Sequence, residues 1–181
     1  MSVIEFRAPW SKWLRTASVM STLVLLLATV SIVLVEPLKP APLRVLLATL
    51  PVIIILLAAL FMVRGYVLTD DAILVRRLGW TTRLPLDQLQ SVSGDEHAMR
   101  GSIRLLGNNG LFSITGEYFN RKLRRYRALA TDPSRAVVLR YPKRTIVITP
   151  HDPQQFIVRA RTLLKYSEFS AAQGASVSRA T

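Results

Sequence analysis

Arg121, Lys122, Arg124, Arg125 and Arg127 place five cations in seven residues, with Leu123 and Tyr126 between them. Guanidinium groups make paired hydrogen bonds to phosphate or carboxylate, so the stretch suits lipid headgroups or an acidic partner. A solvated connector whose charge aids solubility is the plain alternative. Other residue types offer less chemistry. His97 and His151 are the two histidines, and neither has acids around it at metal-ligand spacing. Cysteine is absent, which removes disulfides, thiolate metal sites and thiol nucleophiles. Gly107-Asn108-Asn109-Gly110 lacks the Lys-Ser/Thr of a phosphate-binding loop and reads as a hairpin turn. Asp70, Asp71, Asp95 and Glu96 read as turn and loop acids, and Ser113 stands outside any nucleophile elbow. No catalytic residue, metal site or cofactor is expected, and the chain is read as a non-enzyme.

What the basic stretch can reach depends on what holds it. Thr16 to Val35 is a run of twenty residues without a charge, and Val45 to Val63 is another of nineteen. At ~1.5 Å of rise per residue each run can cross a hydrocarbon core of roughly 30 Å. Between them, Pro37, Pro40 and Pro42 deny the backbone a continuous helix, so the runs predict a transmembrane hairpin over residues 16–63 with spans at about 16–35 and 45–63. The first run is longer than the apolar core of a cleaved leader and reads as an anchor. Neither run carries an ionisable residue at mid-depth, so no transport path is implied. Arg7, Lys12 and Arg15 precede the first span, and Arg64, Arg76 and Arg77 follow the second, against Lys39 and Arg44 in the turn. The positive-inside rule then places both termini in the cytoplasm. Trp10, Trp13, Arg15, Arg64 and Tyr66 occupy the positions of a membrane-interface belt. Residues 1–15 read as a cytoplasmic N-terminal segment.

Beyond Arg64 the period is two. Tyr66–Thr69, Ala72–Arg77, Thr81–Leu86, Leu111–Thr115, Tyr126–Ala130, Ala136–Arg140 and Thr145–Thr149, with Leu89, Val92, Ile103 and Leu105 continuing the alternation, give about seven strands with short gaps. Then Asp152-Pro153-Gln154-Gln155 has the form of a helix start, and Phe156, Ile157, Ala160, Leu163 and Leu164 recur at helical spacing. Residues 64–166 carry eighteen Lys/Arg against eight Asp/Glu, a net of +10 beside a bilayer. Residues 167–181 have no core pattern and read as a disordered tail.

The string Tyr66-Val67-Leu68-Thr69-Asp70-Asp71-Ala72-Ile73-Leu74-Val75-Arg76, with Thr82-Arg83-Leu84-Pro85-Leu86 after it, resembles the opening of bacterial pleckstrin-homology (PH-like) domains. Gly107 to Phe112, Gly116 to Phe119 and the closing Ile148 to Phe156 are similar to later parts of the same domains. The resemblance covers about residues 64–165 and implies an α+β membrane protein: two spans, then a seven-stranded barrel capped by a C-terminal helix. It also implies the bacterial inner membrane. Phosphoinositide-binding PH domains carry bases around their first hairpin, whereas Asp70 and Asp71 stand here, so inositol-phosphate recognition by that route is not expected. PH-like folds serve as binding platforms. The expected role is therefore a membrane-anchored binding or scaffolding module that self-associates or engages another membrane protein, with the basic stretch on anionic lipid and no nucleic-acid partner. A regulatory or accessory subunit of a membrane transport or envelope complex is the second reading. A membrane-bound enzyme is the third, and has no residue constellation behind it.

Overall fold

The computed structural model describes residues 3–35 and 41–178. Strand β1 (Ile4–Arg7) comes first, followed by helices α1 (Lys12–Val35) and α2 (Ala41–Leu60). Strands β2 (Val63–Leu68), β3 (Ala72–Arg77), β4 (Thr81–Pro85), β5 (Ser91–Gly94), β6 (Ile103–Asn109), β7 (Ile114–Asn120), β8 (Arg124–Ala130), β9 (Val137–Tyr141) and β10 (Arg144–Ile148) follow. Helix α3 (Pro153–Ser178) closes the chain. Most of the connector between the two apolar helices, residues 36–40, lies outside the described residues, as do residues 179–181 at the end of the expected tail.

Two helices are long and apolar enough to cross a membrane, over Lys12–Leu34 and Pro42–Leu60. Ser11 caps the first, its hydroxyl accepting the Leu14 N–H at 3.1 Å. The second runs through Pro51 and ends at Leu60, earlier than its hydrophobicity suggested. Val63 is fully buried and opens β2, because the domain core competes for it more strongly than lipid does.

The strands form two sheets, not the closed seven-stranded barrel that the sequence led us to expect. One is antiparallel in the order β1-β2-β3-β4; the other runs β5-β9-β10-β8-β7-β6, with β10 and β8 parallel and the remaining pairs antiparallel. Among the described residues no ladder joins the two sheets. Of the ten strands among the described residues, one had no place in the expected pattern. Ile4–Arg7 lies on the far side of the apolar runs. There β1 pairs with β2 in the register Phe6↔Tyr66, so this part of the N-terminal segment completes the domain.

Period-two alternation sorts the six-stranded sheet into two buried faces. Leu129, Val137, Leu139, Ile146 and Ile148 meet the four-stranded sheet and α3. Tyr126, Ala128, Val138 and Val147 turn the other way, into a second core with Ile114, Tyr118 and Leu14 of α1. On α3, Asp152 caps the first turn through the Gln155 N–H at 2.9 Å, and Arg161 binds the Val92 carbonyl of β5 through two nitrogens at 2.9 and 3.2 Å. Where disorder was expected from Ser167, the helix continues to Ser178; Ala171, Ala172 and Gln173 favour helix, and no proline interrupts them.

A buried polar knot joins these parts. The Tyr66 hydroxyl donates to the Leu129 carbonyl at 2.7 Å and accepts the Thr149 N–H at 3.1 Å. Thr149 Oγ1 accepts the Thr131 N–H at 2.9 Å, and the Thr131 hydroxyl donates to the Pro9 carbonyl at 2.7 Å. Tyr66 is thus a staple between the sheets, and its expected place in an interfacial belt is corrected: its ring is fully buried because β2 turns it inward. Burial pushes its phenol up to about 12. Burial has the same effect on Tyr118 and Tyr141, each raised to about 12.

Two predictions follow from this packing. Phe156 is fully buried and packs edge-on against Phe6, ring centroids 5.1 Å apart. Phe156→Ala should cost about 3–5 kcal/mol in denaturant unfolding, and a double-mutant cycle with Phe6→Ala should give a coupling of about 0.5–1.5 kcal/mol. Zero coupling would remove β1 from the fold. The tyrosines set the second outcome. Their folded-state values lie above the unfolded value near 10, so the unfolded chain loses protons first and stability falls as pH rises from ~10 to ~12. Phenolate absorbance should therefore appear together with loss of structure in an alkaline titration, and Tyr66→Phe should remove part of that dependence.

Candidate functional site

The five cations of the basic stretch do not form one patch. Arg121 and Lys122 occupy the turn before β8, and Lys122 pairs with Asp95 at 2.5 Å. Arg124 opens the strand at φ 61° with its guanidinium 5.7 Å from the Phe119 ring centroid. Arg125 pairs with Glu117 on β7 at 2.9 Å. Leu123 and Tyr126 between them are buried, which gives the stretch its break in polarity. Arg127 lies on the same face of β8 as Arg125, opposite Glu117 in register, and lines a groove with Arg77 of β3. A strand puts successive residues on opposite faces, so Arg124 is divided from Arg125 and Arg127. The acidic first hairpin is also occupied: Asp71 takes the Thr69 hydroxyl at 2.8 Å and pairs with Arg83.

The N-terminal end of α1 is built into the domain. The Ser11 N–H donates to the Thr131 carbonyl at 3.3 Å, beyond the end of β8. Two turns on, the Ser18 hydroxyl donates to the Gly110 carbonyl at 3.0 Å and accepts the Phe112 N–H at 2.9 Å, at the turn between β6 and β7. That turn has its own scaffold, with Leu111 N–H on Asn108 Oδ1 at 3.2 Å and the Tyr118 hydroxyl on the Asn108 carbonyl at 2.9 Å. Trp10 packs beside Phe112, whereas Trp13 remains largely exposed with its ring edge toward Gly110. Arg15 and Arg64 are exposed at the two helix–domain junctions. The end of α2 meets the same region, since the Ser113 hydroxyl donates to the Phe61 carbonyl at 3.4 Å. One domain therefore holds the start of α1 and the end of α2.

Between α2 and the six-stranded sheet lies a groove of about 610 Å³. Ile54, Leu57, Ala58 and Phe61 line it from the helix, and Leu106, Leu111 and Thr115 from the sheet. Its floor includes the cross-strand pair Gly107 and Gly116, at φ 116° and 135°. A Cβ on either would strike the backbone of the opposite strand, so this floor carries no side chain. Arg77, Arg127 and Glu117 supply the charge. Arg77 is only 7% exposed, with its guanidinium 5.4 Å from the Trp80 centroid and 5.7 Å from that of Phe61. Its Nε has no hydrogen-bond partner. Burial first, and then Arg127, push its pKa down. In the sequence Arg77 counted only as a flanking charge; what marks it is the Phe61–Trp80 pair around it, which packs edge-on at 4.9 Å and is distant in the chain.

The edge of the sheet beside this groove is apolar. On β6, Ile103 is 67% and Leu106 73% exposed, with Leu105 also open. A β-sheet domain with an apolar edge thus stands at the ends of two helices of spanning length and composition. Residues 64–163 match the family described as Bacterial PH domain, and the chain belongs to that family. No curated protein and no solved structure matches the chain.

Ser18 tests the junction. Ser18→Ala leaves the Gly110 carbonyl and the Phe112 N–H unpaired at a site where Ser18 is 2% exposed. The cost should be about 1–3 kcal/mol. Hydrogen exchange should accelerate at Phe112 and spare Ile148, which sits in the other core.

Proposed function

We propose that the chain is a membrane-anchored, non-enzymatic binding platform of the bacterial inner membrane, with its PH domain in the cytoplasm against the leaflet. The observation that carries this reading is the shared helix: Leu14 is fully buried in the domain core, and Ser18 is bonded to the β6–β7 turn, on the same helix that has the length of a span. A domain fixed in this way is oriented, not tethered. From Ser11 to Ser18 the helix crosses from the end of β8 to the β6–β7 turn, a path that carries the β6 edge toward the bilayer. Exposed Ile103, Leu105 and Leu106 then lie against lipid, and Arg104 and Arg125 lie near headgroups, where each base contributes about 1 kcal/mol. The opposite edge, at β5 and β9, is left for a membrane partner or a second copy.

Because the chain has no native cysteine, single substitutions report sidedness without a background. Lys39→Cys in the connector should react with a membrane-impermeant maleimide in intact cells. Arg140→Cys on β9 should react only after lysis. The reverse pattern would overturn the orientation, and recovery of the chain in the aqueous fraction without detergent would overturn membrane residence.

A further inference from the structure

The groove beneath α2 has a polar end and an apolar end. Arg77 stands 5.7 Å from the Phe61 ring, and Arg127 acts on it electrostatically, so both charges lie at the level where α2 stops. Ile54 is seven residues earlier on the helix, about 10 Å deeper into the span. On the sheet side, β6 with Leu106 is two strands from β8 with Arg127, again about 10 Å. The two walls change from charged to apolar over the same distance and in the direction that a lipid monolayer does.

The charged end is incomplete. A buried guanidinium packed against aromatic faces, with its Nε unpaired, retains a large desolvation cost. Its nearest charged neighbour in effect is another cation. Glu117 lines the same groove, but its carboxylate is held by Arg125 at 2.9 Å. Among the described ion pairs Arg77 does not appear. An anion entering here would lie against the Arg77 and Arg127 guanidinium groups together, since both line the groove.

We propose that the groove holds one anionic phospholipid of the surrounding leaflet, with its phosphate at Arg77 and Arg127 and an acyl chain along Ile54, Leu57 and Leu106. The occupant is an amphiphile because a free phosphate would leave most of the groove wall apolar and uncovered. This site differs from the first-hairpin location, which Asp70 and Asp71 close to phosphate. It rests on the reading that α1 and α2 lie in a bilayer.

The test uses the full chain, extracted in mild detergent, with native mass spectrometry of bound lipid. Phosphatidylglycerol should be retained as a single adduct, and phosphatidylcholine about tenfold less. Arg127→Gln, on an exposed strand position, should reduce phosphatidylglycerol retention about tenfold, as expected for loss of a charge-assisted phosphate contact. Leu57→Trp should fill the apolar end and reduce retention of both lipids with the charges intact. Arg77→Gln should abolish the adduct; if that variant does not fold, Arg127→Gln and Leu57→Trp decide. Equal retention of the two lipids, or unchanged retention in Arg127→Gln, overturns the proposal. Displacement of the adduct by millimolar inorganic phosphate would assign the site to a soluble anion, and a polypeptide adduct in place of lipid would assign it to a partner. Failure of the membrane reading is separate, since it appears as a chain that needs no detergent for extraction.

Discussion

The first two turns of α1 must satisfy two solvents at once. Leu14 and Ser18 lie four residues apart and so share a face, and the domain buries both. The rest of the helix is clothed in Val, Leu and Ile exposed to whatever surrounds it. A helix that is part of a packed core cannot pivot freely where it leaves the domain. Everything downstream inherits that constraint: the β6–β7 turn is fixed by the Ser18 hydroxyl, the end of α2 by Ser113, and the N-terminal strand by its ladder with β2. The polar knot from Tyr66 through Thr149 and Thr131 to Pro9 then ties the two sheets to the entry of the helix. Because Tyr66, Thr131 and Thr149 are fully buried, loss of one leaves its neighbours unsatisfied, and the junction behaves as a unit.

Charge is distributed around this frame unevenly. The conspicuous basic run is partly neutralised by Asp95 and Glu117 and divided by strand alternation. The more consequential cation is a single one, Arg77, which the fold takes out of water and surrounds with Phe61, Trp80 and Arg127. Five exposed charges in water contribute mostly long-range attraction that salt screens, whereas one desolvated cation imposes a local demand for an anion. Density of charge in sequence and strength of charge in the structure are different quantities here.

Much of the fold was legible. The two uncharged runs, the Asp152-Pro153 helix start and the strands from Tyr66 to Arg77 all express local periodicity or capping, and the structure has them where the residues say. What was hidden depends on contacts across the chain. Strand β1 has four residues and pairs with residues some sixty positions later, beyond two spans, so no local pattern announces it. The same separation concealed the cover over the second core: Val137-Val138-Leu139 and Ile146-Val147-Ile148 are buried on both faces, and Leu14 of α1, far away in the chain, packs on one of them. Tyr66 beside a span suggested an interface residue, and only its partners at Leu129 and Thr149 show it to be core. The groove was illegible for the same reason. Its walls come from α2, β3, β6, β7 and β8, and nothing in the sequence brings Ile54 near Arg127.

The central claim is that the domain is held with its β6 edge on the bilayer. Nitroxide depth measurement in liposomes addresses it directly, with single labels at Leu105→Cys on β6 and Arg140→Cys on β9. These strands are four apart in the sheet, so their depths should differ by roughly 20 Å if the sheet stands on its β6 edge. The Leu105 label should be quenched by membrane-dissolved oxygen and protected from a water-soluble paramagnet, with the Arg140 label showing the opposite. Equal and full exposure of both labels to water would contradict the account, since the domain would then hang clear of the membrane.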